Sequence, residues 1–267
     1  MPSPSASPLS SARPSVVAAL RAAGCVFAED EAELILSAAR TPDELAALVA
    51  RRVDGLPLEL VLGWAEFRGL RITVEPGVFV PRRRTEFLVE QALAQAPSAR
   101  VVVDLCCGSG AVGAALADAL GPVELHAADI DPAAVRCARR NLAAAGGRVH
   151  EGDLFEALPA DLRGHVDILA ANVPYVPTDE VGLLPAEARD HEPLTALDGG
   201  TDGLDLTRRV AAEAARWLAP GGCVLTETSE HQAPTALQVF AAHGLTARSA
   251  TSEEMHAQVV IGVRGGV

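Results

Sequence analysis

The run Val101-Val102-Val103-Asp104-Leu105-Cys106-Cys107-Gly108-Ser109-Gly110-Ala111-Val112-Gly113 constrains the fold more than any other stretch of the chain. It opens with residues that are apolar on both alternating faces apart from Asp104, the pattern of a strand covered on both sides. A tight loop follows, then small residues that suit the opening of a helix. The unit recurs. Strands are predicted at 100–105, 123–128, 148–151, 166–171, 222–226 and 257–263, with helices at 110–120, 132–144 and 204–218 between them. Such alternation predicts an α/β domain over residues 85–267, built on a mainly parallel sheet with helices on both faces.

Ligands of open α/β sheets collect at the carboxyl ends of the strands, where several polar groups of this chain fall. Gly108 and Gly110 let the backbone approach a ligand, and a helix start offers free N–H groups. An ordinary βα turn would look the same. A dinucleotide fingerprint is broken because its first glycine falls on Cys106, and a P-loop is excluded in a chain without lysine. The next strand ends Ala128-Asp129-Ile130-Asp131-Pro132. Asp131 before proline is a helix start, whereas Asp129 at the strand tip can accept both hydroxyls of an adenosine ribose. After the third strand, Asp153 can accept from an adenine amino group while Leu154 or Phe155 covers the ring; a turn acid beside a core pair fits equally. The run Val166-Asp167-Ile168-Leu169-Ala170-Ala171 ends in Asn172-Val173-Pro174-Tyr175. An amide, a constrained carbonyl before proline and an aromatic ring can hold a planar nitrogen, from an amide or a base, beside an activated methyl group.

Charge narrows the partners. The 22 basic residues, all arginine, face 35 acidic ones for a net charge of −13, which gives no general attraction to nucleic acid or to an anionic membrane. The five cysteines lack a CxxC pair and the seven histidines lack ligand spacing, so neither a disulfide framework nor a metal site is expected. No apolar stretch is long enough to span a bilayer. Residues 1–14, rich in Ser, Pro and Ala, read as a disordered tail rather than a signal peptide. A soluble cytoplasmic protein is the expectation.

Ahead of the α/β domain, residues 15–54 read as a small helical bundle, with helical stretches at 16–23, 29–39 and 42–52. Thr41-Pro42-Asp43-Glu44 forms a capping box, and Leu45, Leu48 and Val49 share one face of the helix it opens. So small a bundle cannot enclose a catalytic site and is expected to recognise substrate. Residues 55–84 read as a linker containing a hairpin at 67–74.

Taken together, a loop after strand one, acids after strands two and three and a tetrapeptide after strand four resemble the class I methyltransferases, Rossmann-like enzymes that use S-adenosylmethionine. The likeness is closest to the protein-(glutamine-N5) methyltransferase family, whose best-known members modify class I peptide-chain release factors. Gly55-Leu56-Pro57, Gly63, Phe67 and Val80-Pro81-Arg82-Arg83-Arg84-Thr85-Glu86 resemble its interdomain signature. Glu192-Pro193, Ala196-Leu197, Gly200-Thr201-Asp202-Gly203-Leu204 and Leu218-Ala219-Pro220-Gly221-Gly222 match further motifs. The resemblance implies a seven-stranded sheet whose last strand, at 257–263, is antiparallel, and a small helical N-terminal domain. It implies a cofactor site at Asp104, Cys106, Cys107, Gly108, Ser109, Gly110, Asp129, Asp153, Leu154 and Asn172, and an acceptor site at Asn172, Val173, Pro174 and Tyr175. The implied acceptor is a protein glutamine, in a release factor or in a ribosomal or other protein.

Three departures mark a divergent branch. The family's Asn-Pro-Pro-Tyr carries Val173 here, which keeps the carbonyl and adds an N–H. Its first loop glycine is Cys106, and its proline-acid pair is Arg83-Arg84. Adjacent Cys106 and Cys107 suit small buried fillers better than redox chemistry. Three rival readings stand beside the family one: an adenine-N6 nucleic-acid methyltransferase supported by Arg82-Arg83-Arg84, a nucleotide-dependent oxidoreductase, and a non-catalytic module that binds the cofactor.

Overall fold

The computed structural model describes residues 9–266. Its centre is a seven-stranded sheet. In chain order the elements are α1 (Arg13–Ala22), α2 (Ala28–Ala38), α3 (Pro42–Val53), α4 (Leu58–Leu62), β1 (Trp64–Phe67), β2 (Leu70–Thr73) and α5 (Glu86–Gln95). The sheet domain continues with β3 (Val101–Leu105), α6 (Ala111–Leu120), β4 (Glu124–Asp129), α7 (Pro132–Leu142), β5 (Arg148–Glu151), β6 (Val166–Ala171), α8 (Ala186–His191), α9 (Asp205–Trp217), β7 (Leu218–Thr228), α10 (Ala233–Ala242), β8 (Leu245–Ser252) and β9 (Ala257–Arg264). The sheet order is β5-β4-β3-β6-β7-β9-β8. The five strands from β5 to β7 run parallel, and β9 lies antiparallel between β7 and β8. The chain moves outward from β3 to β5 and then returns to place β6 on the other side of β3. That reversal opens a crevice at the carboxyl ends of β3 and β6.

Alternate side chains feed two cores. Val102 points with Ile168 and Leu225 toward α5, α6 and α7, while Val103, Leu105 and Leu169 point with Val224 toward α9 and α10. Both layers are closed by small and branched residues, and Trp217 and Phe240 are the large fillers on the second side.

One strand escapes the sequence reading. β8, Leu245-Thr246-Ala247-Arg248-Ser249-Ala250-Thr251-Ser252, is an edge strand with a single buried residue, so it lacks the apolar pattern that betrays the others. β7 is also longer than 222–226. It starts at Leu218 and its pairing with β6 slips between Val166↔Leu218 and Ile168↔Cys223, which accommodates Ala219-Pro220-Gly221-Gly222 as an irregularity inside the strand.

The N-terminal helices form their own cluster around Val16, Leu20, Ala32, Ile35 and Leu45. Thr41 caps α3 by accepting the Glu44 N–H at 3.1 Å, and Glu44 Oε2 accepts the Arg40 N–H at 2.7 Å. Of the expected tail, residues 1–8 lie outside the described residues. The remainder is not a tail: Leu9 and Ala12 pack on the cluster and α1 already begins at Arg13-Pro14, where proline suits the first helical turn. Arg52 ties the bundle to the rest of the chain. Its guanidinium grips both Glu31 oxygens at 2.6 and 3.1 Å, and donates to the Leu56 carbonyl at 3.1 Å and to Glu187 on α8 at 2.6 Å.

The hairpin β1–β2 turns at Arg68 (φ 50°) and Gly69 (φ 77°), two consecutive left-handed residues as a tight hairpin turn demands. Glu86 and Glu66 hold it by accepting the Arg68 and Gly69 N–H groups at 3.1 and 2.6 Å. Its far end docks on α7. Asn141 Oδ1 accepts the Thr73 N–H at 3.0 Å, while Asn141 Nδ2 donates to the Thr73 and Ser109 carbonyls at 2.9 and 2.8 Å. Among the described residues, no helix is long and apolar enough to cross a membrane.

Candidate active site

A cavity of about 960 Å³ occupies the crevice. Its wall brings together Asp104, Cys106, Cys107, Gly108 and Ser109, then Asp129, Asp153 and Leu154, and then Asn172, Val173, Pro174 and Tyr175. Of the residues expected there, Gly110 is absent. It stands behind the loop as the cap of α6, at φ 79°, where an added Cβ would come within 3.1 Å of Leu142 and 3.2 Å of Ala138. Of Leu154 and Phe155, only Leu154 lines the cavity; Phe155 stacks on Trp217 in the core at 5.4 Å between ring centroids.

The loop has the backbone of a glycine loop even where it has no glycine: Cys106 sits at φ 53° and Gly108 at φ 53°. Cys107 N–H donates to the Ala128 carbonyl at 3.1 Å and Gly110 N–H to the Cys107 carbonyl at 2.7 Å, which curls the loop over the end of β4. Asp129 locks the curl by accepting the Gly108 N–H at 2.8 Å and the Asp131 N–H at 2.9 Å on separate oxygens. Each oxygen keeps a lone pair for a ligand hydroxyl. Burial raises the Asp129 pKa above the usual carboxylate value. Asp104 is 1% exposed and accepts the Gly113 N–H at 2.8 Å. Burial pushes its pKa up to about 8, and it braces β3 against α6. Burial first, then the Asp129 and Asp104 carboxylates, push the Cys106 and Cys107 thiols well up. Both cysteines are free, and they fill space.

Asp131 caps α7 through the Ala133 N–H at 2.7 Å. Asp153 pairs with Arg209 of α9 at 2.6 Å, leaving one carboxylate oxygen available, and Leu154 follows at φ 46°.

The tetrapeptide is gripped from behind. Tyr175 O–H donates to Glu227 Oε1 at 2.6 Å, and burial with the Glu227 charge pushes the phenol pKa well up, so it stays a neutral donor. Gln232 Nε2 donates to the Tyr175 and Asp202 carbonyls at 2.8 and 2.9 Å. The backbone of Gly199 presses against the same segment: a Cβ there would meet the Pro174 oxygen at 2.7 Å and Tyr175 Cα at 2.8 Å. Val173 is 1% exposed. Asn172 is different. Its Oδ1 is buried in the cavity wall with no hydrogen-bond partner.

The arginine run resolves into three separate fates. Arg82 pairs with buried Glu192 at 2.5 Å, Arg84 pairs with buried Glu227 at 2.8 Å, and Arg83 is exposed. Two of the three charges are thus balanced internally, which removes the main support for a nucleic-acid face. Glu192 also accepts the Val80 N–H at 3.1 Å, and burial raises its pKa against the opposing pull of Arg82. Glu227, Gln232 and Arg209 carry no motif in the sequence reading. A lone charged residue near the carboxyl end of a strand without other charges was the one available signal for Glu227.

Comparison with known proteins decides the family. A release factor glutamine methyltransferase from Geobacter sulfurreducens is 43% identical over 76% of this chain and 72% of its own length. The chain belongs to the release factor glutamine methyltransferase family. The methyltransferase small domain model matches residues 69–183, from the hairpin turn through the tetrapeptide. A Streptomyces pristinaespiralis 4-amino-L-phenylalanine/4-methylamino-L-phenylalanine methyltransferase is 36% identical over 84% of this chain and 78% of its own length. In fold, a methyltransferase from Pyrococcus furiosus superposes with a TM-score of 0.56 at 16% identity, over 74% of this chain and 90% of that one.

S-adenosylmethionine fits the residues present. Two strand-end acids with spare lone pairs, a left-handed loop that exposes backbone, and the Leu154 side chain in the wall suit a ribose and an adenine. The unpartnered Asn172 oxygen suits an N–H donor.

Proposed function

We propose that this chain transfers a methyl group from S-adenosylmethionine to the side-chain amide nitrogen of a protein glutamine, in the Gly-Gly-Gln loop of a class I peptide-chain release factor. The observation that carries the reading is the buried Asn172 Oδ1, which lacks a partner inside the protein and lies in a wall shared with the cofactor residues. A buried acceptor without a donor is costly unless a ligand supplies one.

Bound there, S-adenosylmethionine supplies an electrophilic methyl group on a sulfonium. Cys106, Gly108, Asp129, Asp153 and Leu154 would hold its adenosine part. The acceptor side has the harder task, because a carboxamide nitrogen is a poor nucleophile with a delocalised lone pair. Asn172 Oδ1 and the Val173 carbonyl accept its two N–H bonds, which localises electron density on nitrogen and opposes the positive charge that develops on it. Tyr175 packs on the planar amide. Glu227, Gln232 and Gly199 fix that ring and backbone before the substrate arrives, so alignment is built in. Proton loss follows methylation and needs no strong base beforehand.

Purified release factor incubated with this protein and labelled S-adenosylmethionine should gain one methyl group on the loop glutamine, read by peptide mass spectrometry. A Gln→Ala release factor should gain none. Such an acceptor places the reaction in the cytoplasm. A free aromatic amine is the second reading, raised by the 36% identity to the S. pristinaespiralis 4-amino-L-phenylalanine/4-methylamino-L-phenylalanine methyltransferase. 4-Amino-L-phenylalanine in a parallel assay separates the two, and methylation of it with the release factor untouched would refute the first.

A further inference from the structure

Among the described residues, four buried side-chain atoms lack a hydrogen-bond partner: Asn172 Oδ1, Glu192 Oε2, Thr207 Oγ1 and Trp217 Nε1. Asn172 and Glu192 line the cavity, and Thr207 and Trp217 do not. Two residues of the cavity wall therefore each carry a buried, unsatisfied side-chain acceptor. The glutamine reading uses Asn172. Glu192 remains over.

Glu192 is a built feature rather than a stray surface acid. Its side chain is 1% exposed. One oxygen is fixed by the Val80 N–H at 3.1 Å and by Arg82 Nη2 at 2.5 Å, and Arg82 in turn lies over the Phe79 ring at 5.1 Å. Arg82 already balances the charge, so the second oxygen calls for a neutral N–H or O–H donor rather than a cation. The acceptor's carboxamide has no such donor to spare, because its two N–H bonds are matched by Asn172 Oδ1 and the Val173 carbonyl. A glutamine flanked by glycines has only main-chain N–H groups left.

We propose that Glu192 Oε2 is a substrate-positioning acceptor that takes a main-chain N–H of the acceptor peptide beside the target glutamine. The inference rests on the glutamine reading. It makes the site selective for glutamine within a peptide. Free glutamine would bring an α-ammonium group toward the Arg82 guanidinium instead, and is a poor acceptor.

Glu192→Gln tests it, because the variant keeps an oxygen for Val80 and Arg82 but turns the free end from acceptor to donor. With purified release factor, KM should rise about tenfold or more, the loss expected for one hydrogen bond to a charged acceptor. kcat should change less. S-adenosylmethionine affinity by calorimetry should stay at the wild-type value, while the thermal midpoint falls as Arg82 loses its buried counter-charge. A second measurement needs only the wild-type protein: Gly-Gly-Gln peptides in which each amide beside the glutamine is replaced in turn by an ester, which deletes one N–H. One ester should slow the wild type about tenfold, and the same ester should leave Glu192→Gln unaffected. Methylation of all these peptides at equal rates, or an unchanged KM for Glu192→Gln, overturns the proposal alone. No transfer to the release factor or to any peptide overturns the glutamine reading itself.

Discussion

Arg84 occupies a position where the family's signature carries an acid, and its partner makes that departure testable. The Glu227 side chain is 2% exposed and receives Arg84 Nε at 2.8 Å, Tyr175 O–H at 2.6 Å and Thr85 Oγ1 at 2.7 Å. Arg84→Met removes the charge and keeps most of the stem; Arg84→Glu restores the family's acid. The Arg84 side chain is 47% exposed, so water screens the pair, and its loss should cost about 1–2 kcal/mol, between a surface and a buried ion pair. An introduced carboxylate adds repulsion. At about 5 Å and an effective dielectric near 20, two like charges repel by roughly 3 kcal/mol. Taking up a proton instead costs a carboxyl of ordinary acidity about 3.7 kcal/mol at pH 7, so repulsion sets the scale there. At pH 5 the same proton costs only about 1 kcal/mol. The gap between the two variants should therefore be about 3 kcal/mol at pH 7, or roughly 6–12 °C in thermal midpoint, and should shrink to about a third of that at pH 5. Calorimetric scans at the two pH values measure it. Equal midpoints for the two variants at pH 7, or a gap of the same size at pH 5, would show that Glu227 does not feel the charge at position 84.

Asn172→Ala should abolish methyl transfer while moving the thermal midpoint little, since Asn172 Oδ1 bonds nothing inside the protein; near-normal turnover would refute the mechanism. Val173→Pro should retain turnover, because the carbonyl that the mechanism uses survives, and a dead but folded variant would show that the valine N–H matters. Asp129→Ala removes a carboxylate that both fixes the loop and lines the cavity, so S-adenosylmethionine should bind at least tenfold more weakly by calorimetry, from ~1.5–3 kcal/mol per charged hydrogen bond. Burial raises Asp104 to about 8, so between about pH 4 and 8 the folded chain holds a proton that the unfolded chain has released. Stability from this group is full at acid pH and lost as the pH climbs to 8. Asp104→Asn should accordingly gain on the wild type in thermal midpoint from pH 5 to pH 8, and a constant difference would contradict the assignment.

Hydrophobic patterning located every sheet strand with an apolar core and failed at β8, whose order comes from pairing with β9 rather than from its own residues. The insertion of β9 between β7 and β8 is likewise tertiary: no local signal says which neighbour a strand will choose. At the site, Asn172, Asp129 and the loop were legible because each follows a strand directly. Glu227 joins Tyr175 across 52 residues and Thr85 across 142, and distances of that kind leave no mark on periodicity. Gly110 was placed in the cofactor wall because the motif contains it, although its lack of a side chain serves the packing of α6 against α7.

The Asn141 amide touches three segments at once, the end of the hairpin, α7 and the Ser109 carbonyl of the loop. That sets where the chain can be cut and rejoined with a relative. A chimera that takes its N-terminal helices from another family member should be joined ahead of Trp64, so that the hairpin travels with the sheet domain and Thr73 still meets Asn141. A junction after Thr73 would pair a foreign hairpin with this loop. The transplanted helices would also need an arginine at position 52, or a matching change at Glu187, for the graft to keep its tie to α8.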